Sequence, residues 1–278
     1  MARPIVFLSD FGLDDPFVGI CHSVVHRIAP EARIIDLTHG VAPQDVTAGA
    51  LVLADVVPYL PEDAVLLAVV DPGVGTGRRA VAARISDGRL TVGPDNGLLS
   101  LAWEAMGGAD EAVEIDAPGV VLAPVSATFH GRDVFAPAAA HLARGRPLGD
   151  LGPSIPPGQL VRLAPPRPEV EPGRVMCSVV QVDRFGNVQL GAGPEDLERA
   201  GLDPAGELAL STAAGQTALR RVRTFDEAEP GHFAILVDSS GRLAVVRSGS
   251  NAAGTLGLGA GDRVAIVAAD EPKLRRGR

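Results

Sequence analysis

Uninterrupted apolar runs alternate with helically spaced apolar positions along the first part of the chain. Three runs rich in β-branched residues predict strands that a parallel sheet buries on both faces, at residues 4–8, 33–37 and 64–70. After the first run, Asp15 can cap a helix, Pro16 fits its first position, and apolar side chains recur at helical spacing up to Ile28. A second helix is predicted from Pro43 to Val57. This β-α-β-α-β order predicts an α/β domain with a largely parallel central sheet.

The pattern changes twice after this first unit. Weaker strand and helix signals continue to about residue 152, so we predict an N-terminal α/β domain over 1–152. Prolines crowd the stretch 153–173, which predicts a stiff linker that belongs to neither core. Short alternating runs separated by turn residues fill 174–278, with one helical signal at 194–201. They predict a smaller C-terminal antiparallel β-barrel domain.

Composition narrows the class of protein further. The 278 residues carry 34 acidic and 25 basic side chains, a net charge of −9 that argues against general nucleic-acid binding. Mean hydropathy is +0.20, but charged residues, glycine or proline interrupt every apolar run before it reaches the length of a membrane span. No secretory signal is visible, so we expect a soluble cytoplasmic protein. Only the tail at 273–278 is a basic run, which we expect to be frayed and solvated.

Cysteine and histidine spacing excludes some kinds of site. Cys21 and Cys177 lie far apart in apolar stretches, which predicts buried thiols and no disulfide framework. No His-x-x-x-His pair or Cys/His cluster has the spacing of metal ligands, so we expect no metal.

Unusual loops follow the predicted strands, where α/β sheets place their ligand sites. Asp10 comes directly after the first strand, and a carboxylate there can hold two vicinal hydroxyls as in ribose recognition. Asp15 has an equally good structural explanation as the helix cap. The segment lacks the glycine pattern of dinucleotide-binding folds, so no NAD is inferred.

The segment 71–79, DPGVGTGRR, follows the third strand. Its glycines lack the Gly-Lys-Ser/Thr ending of a phosphate-binding loop. Two interpretations of the segment stay open: it is a glycine-rich turn with two solvated arginines, or it is part of a functional site. Asp71 ends a buried strand, where an unpaired carboxylate is costly, so Arg78 is a sensible partner.

His130 lies in the loop TFHGRD (128–133), ahead of a helix predicted from Asp133 to Ala143 with Asp133 as its cap. A loop histidine is more often structural than catalytic. Together, however, Asp71, Arg78 and His130 can position and polarise one water molecule.

Two segments stand out in the C-terminal domain. Gly186 and Asn187 interrupt an alternating run, which predicts a hairpin turn. Ser239 begins a second turn, and Ser248 and Gly249 follow the next strand, where polar backbone can read the edge of a purine.

These segments, with GPDNGLL at 93–99, together resemble the SAM hydroxide adenosyltransferases, or SAM hydrolases, which are relatives of the fluorinase and chlorinase enzymes. The resemblance covers essentially the whole chain. It implies an N-terminal α/β domain, a C-terminal β-barrel and a homotrimer with active sites at subunit interfaces. It also implies S-adenosyl-L-methionine (SAM) as substrate, adenosine and L-methionine as products, and no cofactor.

The resemblance assigns roles position by position. The family's water-activating triad matches Asp71, Arg78 and His130. The family residue that holds the ribose diol matches Asp10. The positions that hold the methionine end match Asp15, Asp183 and Ser239, and those around adenine match Phe185, Asn187, Ser248 and Gly249. The halogenating relatives carry tyrosine where this chain has Asp71, and they lack the match to His130. The chain departs from the family pattern in two places: the serine turn has Ser239 and Ser240 where an arginine or asparagine is common, and Gln44 stands where the fluorinase has a tryptophan.

The expected reaction is attack of an activated water on C5′ of SAM. Two alternatives remain open at this point: a non-catalytic protein that binds SAM or adenosine, and, less favoured, a SAM-dependent halogenase.

Overall fold

The structure is a computed structural model that describes residues 2–164, 167–202 and 206–269. The chain divides into two compact units, Met1–Pro165 and Pro166–Arg278. The domain boundaries expected from sequence remain predictions, and the basic tail at 273–278 lies outside the described residues.

The first unit is a seven-stranded sheet with helices on both faces. Its strands are β1 (Ile5–Ser9), β2 (Ile34–Thr38), β3 (Val65–Val69), β4 (Ala80–Ile85), β5 (Leu90–Pro94), β6 (Ala109–Glu114) and β7 (Ser154–Ile155). Its helices are α1 (Phe17–Ile28), α2 (Val46–Val56), α3 (Ser100–Ala105) and α4 (Ala136–Ala143). The strand order is β2-β1-β3-β5-β4-β6-β7. The first four strands in that order are parallel and the rest join antiparallel, which confirms the predicted α/β class.

Alternation along the buried strand β1 distributes the core between the two faces of the sheet. Ile5 and Phe7 pack with α1 and α4 on one face, whereas Val6 and Leu8 pack with α2 and α3 on the other. All residues of β1 are buried, as the continuous apolar run predicts.

Three helices begin at other residues than the sequence predicts, and in the part of the chain that the structure describes only α2, among α1, α2 and α4, receives a side-chain cap. The side chain of Asp45 accepts a hydrogen bond from the backbone N–H of Ala48, so α2 begins at Val46 and not at Pro43. The predicted cap Asp15 is wrong: the N-cap residue of α1 is Pro16, and the described residues give it no side-chain cap. Asp133 does not cap α4 either, because it lies within a π-helical turn, Gly131–Phe135, that leads into the helix.

Part of the proline-rich stretch belongs to the first unit, contrary to the expectation of a linker outside both cores. Ile155 pairs with Ala112 at the sheet edge, and Ile155 and Leu160 are buried in the core. The backbone N–H of Val161 donates to the carboxylate of Asp95 at 2.8 Å. Proline removes a backbone donor, but the intervening residues keep theirs and bind the first unit.

The second unit is a closed seven-stranded barrel with one additional strand, as predicted. Its strands are β8 (Glu169–Glu171), β9 (Arg174–Val182), β10 (Val188–Leu190), β11 (Leu208–Thr212), β12 (Gly215–Arg221), β13 (Phe233–Val237), β14 (Leu243–Arg247) and β15 (Arg263–Ala268). Its helices are α5 (Pro194–Arg199) and α6 (Ala252–Leu256). Pairing of β10 with both β9 and β14 closes the barrel. The pair β12–β13 is parallel, so the barrel is not wholly antiparallel.

Both cysteines are buried, as predicted, and burial raises the pKa of each thiol to about 12. Within the described ranges, none of the helices is long and apolar enough to span a membrane.

Candidate active site

Two carboxylates lie at the point where the sheet of the first unit reverses its strand order. β1 pairs with β2 on one side and with β3 on the other, with Ser9 opposite Val69. Asp10 and Asp71 follow these neighbouring strands closely, so both emerge at the same carboxyl-terminal edge of the sheet. A crevice at this position is where open α/β sheets bind ligands.

Asp71 and Arg78 form a two-pronged ion pair. Arg78 Nε donates to Asp71 Oδ1 at 2.8 Å, and Arg78 Nη2 donates to Asp71 Oδ2 in a shorter contact. The side chains are only 6% and 10% exposed, so the charges are held in a poorly solvated setting. Because each carboxylate oxygen has two lone pairs, the ion pair leaves acceptor capacity on Asp71. The predicted partnership of these two residues is thus present in the structure.

His130 completes the cluster through the same guanidinium nitrogen. Arg78 Nη2 lies 2.8 Å from His130 Nδ1. Since a guanidinium has donors only, Nδ1 must be the acceptor, and we assign the proton of the neutral imidazole to Nε2. Burial and the positive charge of Arg78 lower the pKa of His130 below 6.5, against the opposing effect of Asp71 and Asp133. His130 is therefore neutral at pH 7 and offers Nε2–H as a donor.

Glycine permits the close approach of the two loops that carry this cluster. Gly75 has a φ of +75°, and a Cβ there would lie 2.3 Å from the carbonyl oxygen of Ala127. Arg78 also lies over the ring of Phe135, 5.1 Å from its centroid, in a cation–π contact. The segment 71–79 is thus packed against the His130 segment and is not a free glycine-rich turn.

Asp133 holds the backbone around His130. Its carboxylate accepts hydrogen bonds from the backbone N–H of Ser126 at 2.8 Å and from the Arg132 side chain at 2.7 and 2.8 Å. Burial opposes ionisation of Asp133, but these hydrogen bonds outweigh it and lower its pKa. Asp133 is therefore not the helix cap that we predicted. Its carboxylate ties the loop before the helix to the turn that follows His130.

Among the described residues, the side chain of Asp10 accepts one hydrogen bond. Its Oδ2 accepts from the backbone N–H of Gln44 at 2.8 Å. Gln44 has a φ of +65°, a left-handed conformation that is uncommon outside glycine. The second carboxylate oxygen of Asp10 therefore keeps its lone pairs, and the residue is partly exposed.

A pocket of about 650 Å³ lies in the second unit and gathers most of the C-terminal candidates. Its lining includes Asp183, Phe185, Asn187, Ser248 and Gly249. Phe185 is 80% exposed, so its ring offers an open stacking face. Because aromatic faces stack on nucleobases, the pocket has the chemistry of a base-binding site.

Asp183 also shapes the predicted turn between β9 and β10. Its Oδ1 accepts from the backbone N–H groups of Phe185 and Asn187 at 2.9 Å, and its Oδ2 accepts from Asn187 Nδ2 at 2.7 Å. Gly186 adopts a φ of +85° at this turn, where a Cβ would collide with Asn251. The turn is therefore rigid, and it fixes Phe185 at the pocket rim.

Two candidates are placed apart from these clusters. Ser239 lies in the turn before β14, whereas Ser248 follows that strand, so the two serines are at opposite ends of it. Asp15 is exposed in the loop between Asp10 and α1. Their binding roles stay predictions.

Sequence reasoning missed the partner of Arg79. Arg79 Nε and Nη2 donate to Asp95 Oδ2 at 2.9 and 2.5 Å, and Nη2 also donates to the carbonyl oxygen of Gln159 at 2.6 Å. Asp95 belongs to the segment GPDNGLL, so the two loops after β3 and β5 are bridged. The signal in the sequence was the pair of adjacent arginines, Arg78 and Arg79. Arg78 pairs with Asp71 and Arg79 pairs with Asp95, so neither side chain is merely solvated.

A second missed cluster consists of His22, Asp36 and His39, whose side-chain ligand atoms all lie within 4.8 Å of one another. This is the only group of three or more potential metal ligands found among the described residues. The pattern escaped detection because helix α1 and strand β2 bring them together from positions without a metal-binding spacing.

The fold and the cluster of Asp71, Arg78 and His130 define a class of protein, an α/β protein with interacting polar side chains gathered at the switch point of its sheet. Family models of the SAM hydroxide adenosyltransferase N-terminal and C-terminal domains match residues 5–152 and 177–265. The chain belongs to the SAM hydroxide adenosyltransferase family.

Individual relatives agree with this membership. A protein named (R)-S-adenosyl-L-methionine hydrolase from Salinispora arenicola is 50% identical, over 95% of this chain and 97% of its own length. One of the same name from Thermus thermophilus is 44% identical, over 95% and 100%. A fluorinase from Actinoplanes is 32% identical, over 95% and 97%.

Solved structures share the fold. The crystal structure of an uncharacterized conserved protein from Thermotoga maritima matches with a TM-score of 0.87 and 33% identity, over 95% of this chain and 99% of that one. A conserved hypothetical protein from Thermus thermophilus matches with a TM-score of 0.73 and 38% identity, over 96% and 100%.

Proposed function

We propose that the protein hydrolyses SAM to adenosine and L-methionine. The observation that carries the proposal is the contact network of Asp71, Arg78 and His130, a carboxylate, a guanidinium and a neutral imidazole joined through one nitrogen of Arg78. Membership of the family and the names of the relatives give the substrate class.

The reaction needs an activated nucleophile more than a general acid. Water forms a bond to C5′ while the C5′–S bond breaks, and the sulfonium sulfur takes the electron pair and leaves as the neutral thioether of methionine. The attacking oxygen then loses a proton, so the products are adenosine, L-methionine and H⁺. Because free water has a pKa near 15.7, the enzyme must stabilise hydroxide character on it.

The three side chains divide this task in a way that their hydrogen bonds suggest. Arg78 supplies the positive charge that stabilises a developing hydroxide. His130 donates from Nε2–H to the water oxygen and so orients one of its lone pairs toward C5′. Asp71 has lone pairs beyond those that bind Arg78, and it is the acceptor we assign to the proton of the water. In-line placement of water and carbon adds the advantage of an intramolecular reaction.

The remaining residues hold the substrate in this proposal. The oxygen of Asp10 that does not bind Gln44 accepts from the ribose hydroxyls. Phe185, Asn187, Ser248 and Gly249 contact adenine in their pocket. Asp15, Asp183 and Ser239 bind the methionine end. No organic cofactor or metal takes part in these steps.

Assembly and location are further parts of the proposal. We propose a homotrimer with active sites at subunit interfaces, as in the family resemblance, and a cytoplasmic location. Sedimentation equilibrium tests the trimer directly: the expected mass is three times the 28.6 kDa of one chain. A monomer at every concentration at which the protein is active would contradict it.

Chromatographic analysis of purified protein incubated with SAM tests the activity. We expect adenosine and methionine in equal amounts from the wild type, and a loss of kcat in Asp71→Asn of roughly 10²–10⁴-fold. Asp63→Asn is the matched control, because Asp63 is exposed ahead of β3, at the opposite end from Asp71. Its turnover should equal that of the wild type.

Each alternative function has its own outcome in the same assay. Tight SAM binding without product formation would make the protein a binder and overturn the proposal. Formation of 5′-chloro-5′-deoxyadenosine in chloride buffer, at a rate that rivals hydrolysis, would make it a halogenase. We expect none, because the charge of Asp71 repels an anion from the position of the water.

A further inference from the structure

His22, Asp36 and His39 form a compact cluster in the first unit. His22 lies on α1, Asp36 on β2, and His39 directly after that strand. His22 Nε2 is 2.9 Å from Asp36 Oδ1, and His39 Nε2 is 3.0 Å from the same oxygen. Two imidazoles and one carboxylate are a common ligand set for zinc and other divalent transition metals.

The buried imidazole of His39 is unsatisfied at one nitrogen. The side chain is 3% exposed, and its Nδ1 lies 2.7 Å from Ser9 Oγ. Its Nε2 has no hydrogen-bond partner among the described residues, although Asp36 Oδ1 is only 3.0 Å away. The carboxylate oxygen therefore lies away from the direction in which the ring nitrogen bonds. A buried polar atom without a partner is costly, so this nitrogen calls for an explanation.

Coordination to a shared ion accounts for this off-axis contact. Zinc is held tetrahedrally at about 2.0–2.2 Å by nitrogen and oxygen ligands, so two ligand atoms around it lie roughly 3.3–3.5 Å apart. In that arrangement each ligand atom lies well off the bonding axis of the other. The contact of His39 Nε2 with Asp36 Oδ1, which is 3.0 Å long but lacks hydrogen-bond geometry, needs to open by only about 0.3–0.5 Å to admit such an ion. The ion would replace the hydrogen bond that joins His22 Nε2 and Asp36 Oδ1 at 2.9 Å.

Ser9 prepares His39 for this role. When Nδ1 donates its proton to Ser9 Oγ, the lone pair of Nε2 is free for a metal. Such a fixed tautomer is the usual second interaction of a metal-binding histidine. His22 and Asp36 are 29% and 42% exposed at their side chains, which leaves a path from solvent for the ion.

We propose that His22 Nε2, His39 Nε2 and Asp36 Oδ1 bind one Zn²⁺ ion, with water completing its coordination. The role of the ion is structural, although its water ligand leaves one coordination position open, unlike a site with four protein ligands. The carbonyl oxygen of His39 accepts from the backbone N–H of Gly12 at 2.8 Å, and Ser9 Oγ accepts from that of Phe11 at 3.3 Å. An ion at His39 therefore stiffens the loop that begins with Asp10. This inference is independent of the proposed hydrolysis, which uses no metal.

Zinc binding by the tag-free full chain tests the proposal. Protein stripped with a chelator is dialysed against Zn²⁺ buffers of known free concentration, and bound zinc is measured by mass spectrometry. We expect one Zn²⁺ per chain, with an affinity that His22→Gln reduces by roughly 100-fold or more, beyond the 10–100-fold typical of outer contacts. His26→Gln is the matched control, because His26 is exposed on the same helix, and it should bind zinc as the wild type does.

Two readouts make the test decisive. X-ray absorption of the zinc-loaded wild type, which needs no variant, should show two imidazole ligands and one carboxylate. Zinc should also raise the Tm of the wild type and of His26→Gln but not that of His22→Gln. Equal zinc affinity in His22→Gln and wild type, or a spectrum without imidazole, would overturn the proposal. Neither result would affect the test of SAM hydrolysis.

Discussion

Arg78 Nη2 and His130 Nδ1 lie 2.8 Å apart, although the two residues are 52 positions apart in the chain. The contact fixes which nitrogen of His130 carries the proton, because arginine can only donate. It also places a permanent positive charge beside the imidazole. Three predictions concern the consequences of this contact and of the loops that hold it.

The pH dependence of kcat should reflect the lowered pKa of His130. Burial and Arg78 both disfavour its protonated form, so the imidazole stays neutral as the pH falls through 6.5, its ordinary pKa. We expect kcat at saturating SAM to be constant from pH 8 to 6.5 and to decline only at lower pH. Histidine NMR on the same samples identifies the group. A decline centred above 6.5 that follows His130 would show that its pKa is not lowered.

Two substitutions separate the charge of Arg78 from its shape. Arg78→Gln removes the charge, which should raise the pKa of His130 and lower kcat by roughly 10²–10³-fold. Arg78→Lys keeps the charge but not the planar fork that binds both oxygens of Asp71. We expect it to leave the pKa of His130 lowered while kcat still falls. Wild-type kcat in Arg78→Lys would show that charge alone is sufficient.

Gly75 should be necessary for the close packing of the segment 71–79 against the loop that carries His130. In Gly75→Ala the new Cβ meets the Ala127 carbonyl oxygen, and φ is +75°, so both sterics and backbone conformation oppose the change. We expect Tm to fall by at least about 2–4 °C and kcat to fall with it. Gly77→Ala is the matched control, since a Cβ at Gly77 has no atom within 4 Å. Equal Tm values for the two variants would contradict this account of the loop.

Asp10→Asn should abolish recognition of the ribose diol. The single amide oxygen of asparagine is needed by the backbone N–H of Gln44, so the amide NH₂ would face the ribose. We expect SAM and adenosine to bind more weakly, by about 1–3 kcal/mol, and the preference for adenosine over 2′,3′-dideoxyadenosine to disappear. Titration calorimetry measures both ligands, with Asp14→Asn, an exposed neighbour, as control. An undiminished preference in Asp10→Asn would exclude Asp10 as the diol ligand.

Much of the fold follows from local patterns. The buried run at β1 and the helical spacing of α1 predicted their elements, because each pattern reports directly on which faces are covered. The start of α2 was misplaced, since several residues could serve as its cap and only the structure shows that Asp45 does. Ile155 and Leu160 were assigned to a linker because prolines dominate the composition there, although the residues between them reach the core.

The candidate site was less accessible to sequence reasoning. The pairing of Asp71 with Arg78 was predictable, since the two share one loop and a carboxylate at the end of a buried strand needs a partner. The contact of Arg79 with Asp95 and the cluster of His22, Asp36 and His39 depend on strand order, which no single segment encodes. Long-range pairings of this kind depend on the order of the strands in the sheet, and local sequence patterns do not specify that order directly.

The central claim is that water attacks C5′ of SAM at the Asp71, Arg78 and His130 cluster. The most direct test is a reaction in water enriched in oxygen-18, with mass spectrometry of the adenosine product. We predict that the label appears in the 5′-hydroxyl of adenosine and is absent from methionine. Unlabelled adenosine formed in labelled water would contradict the mechanism.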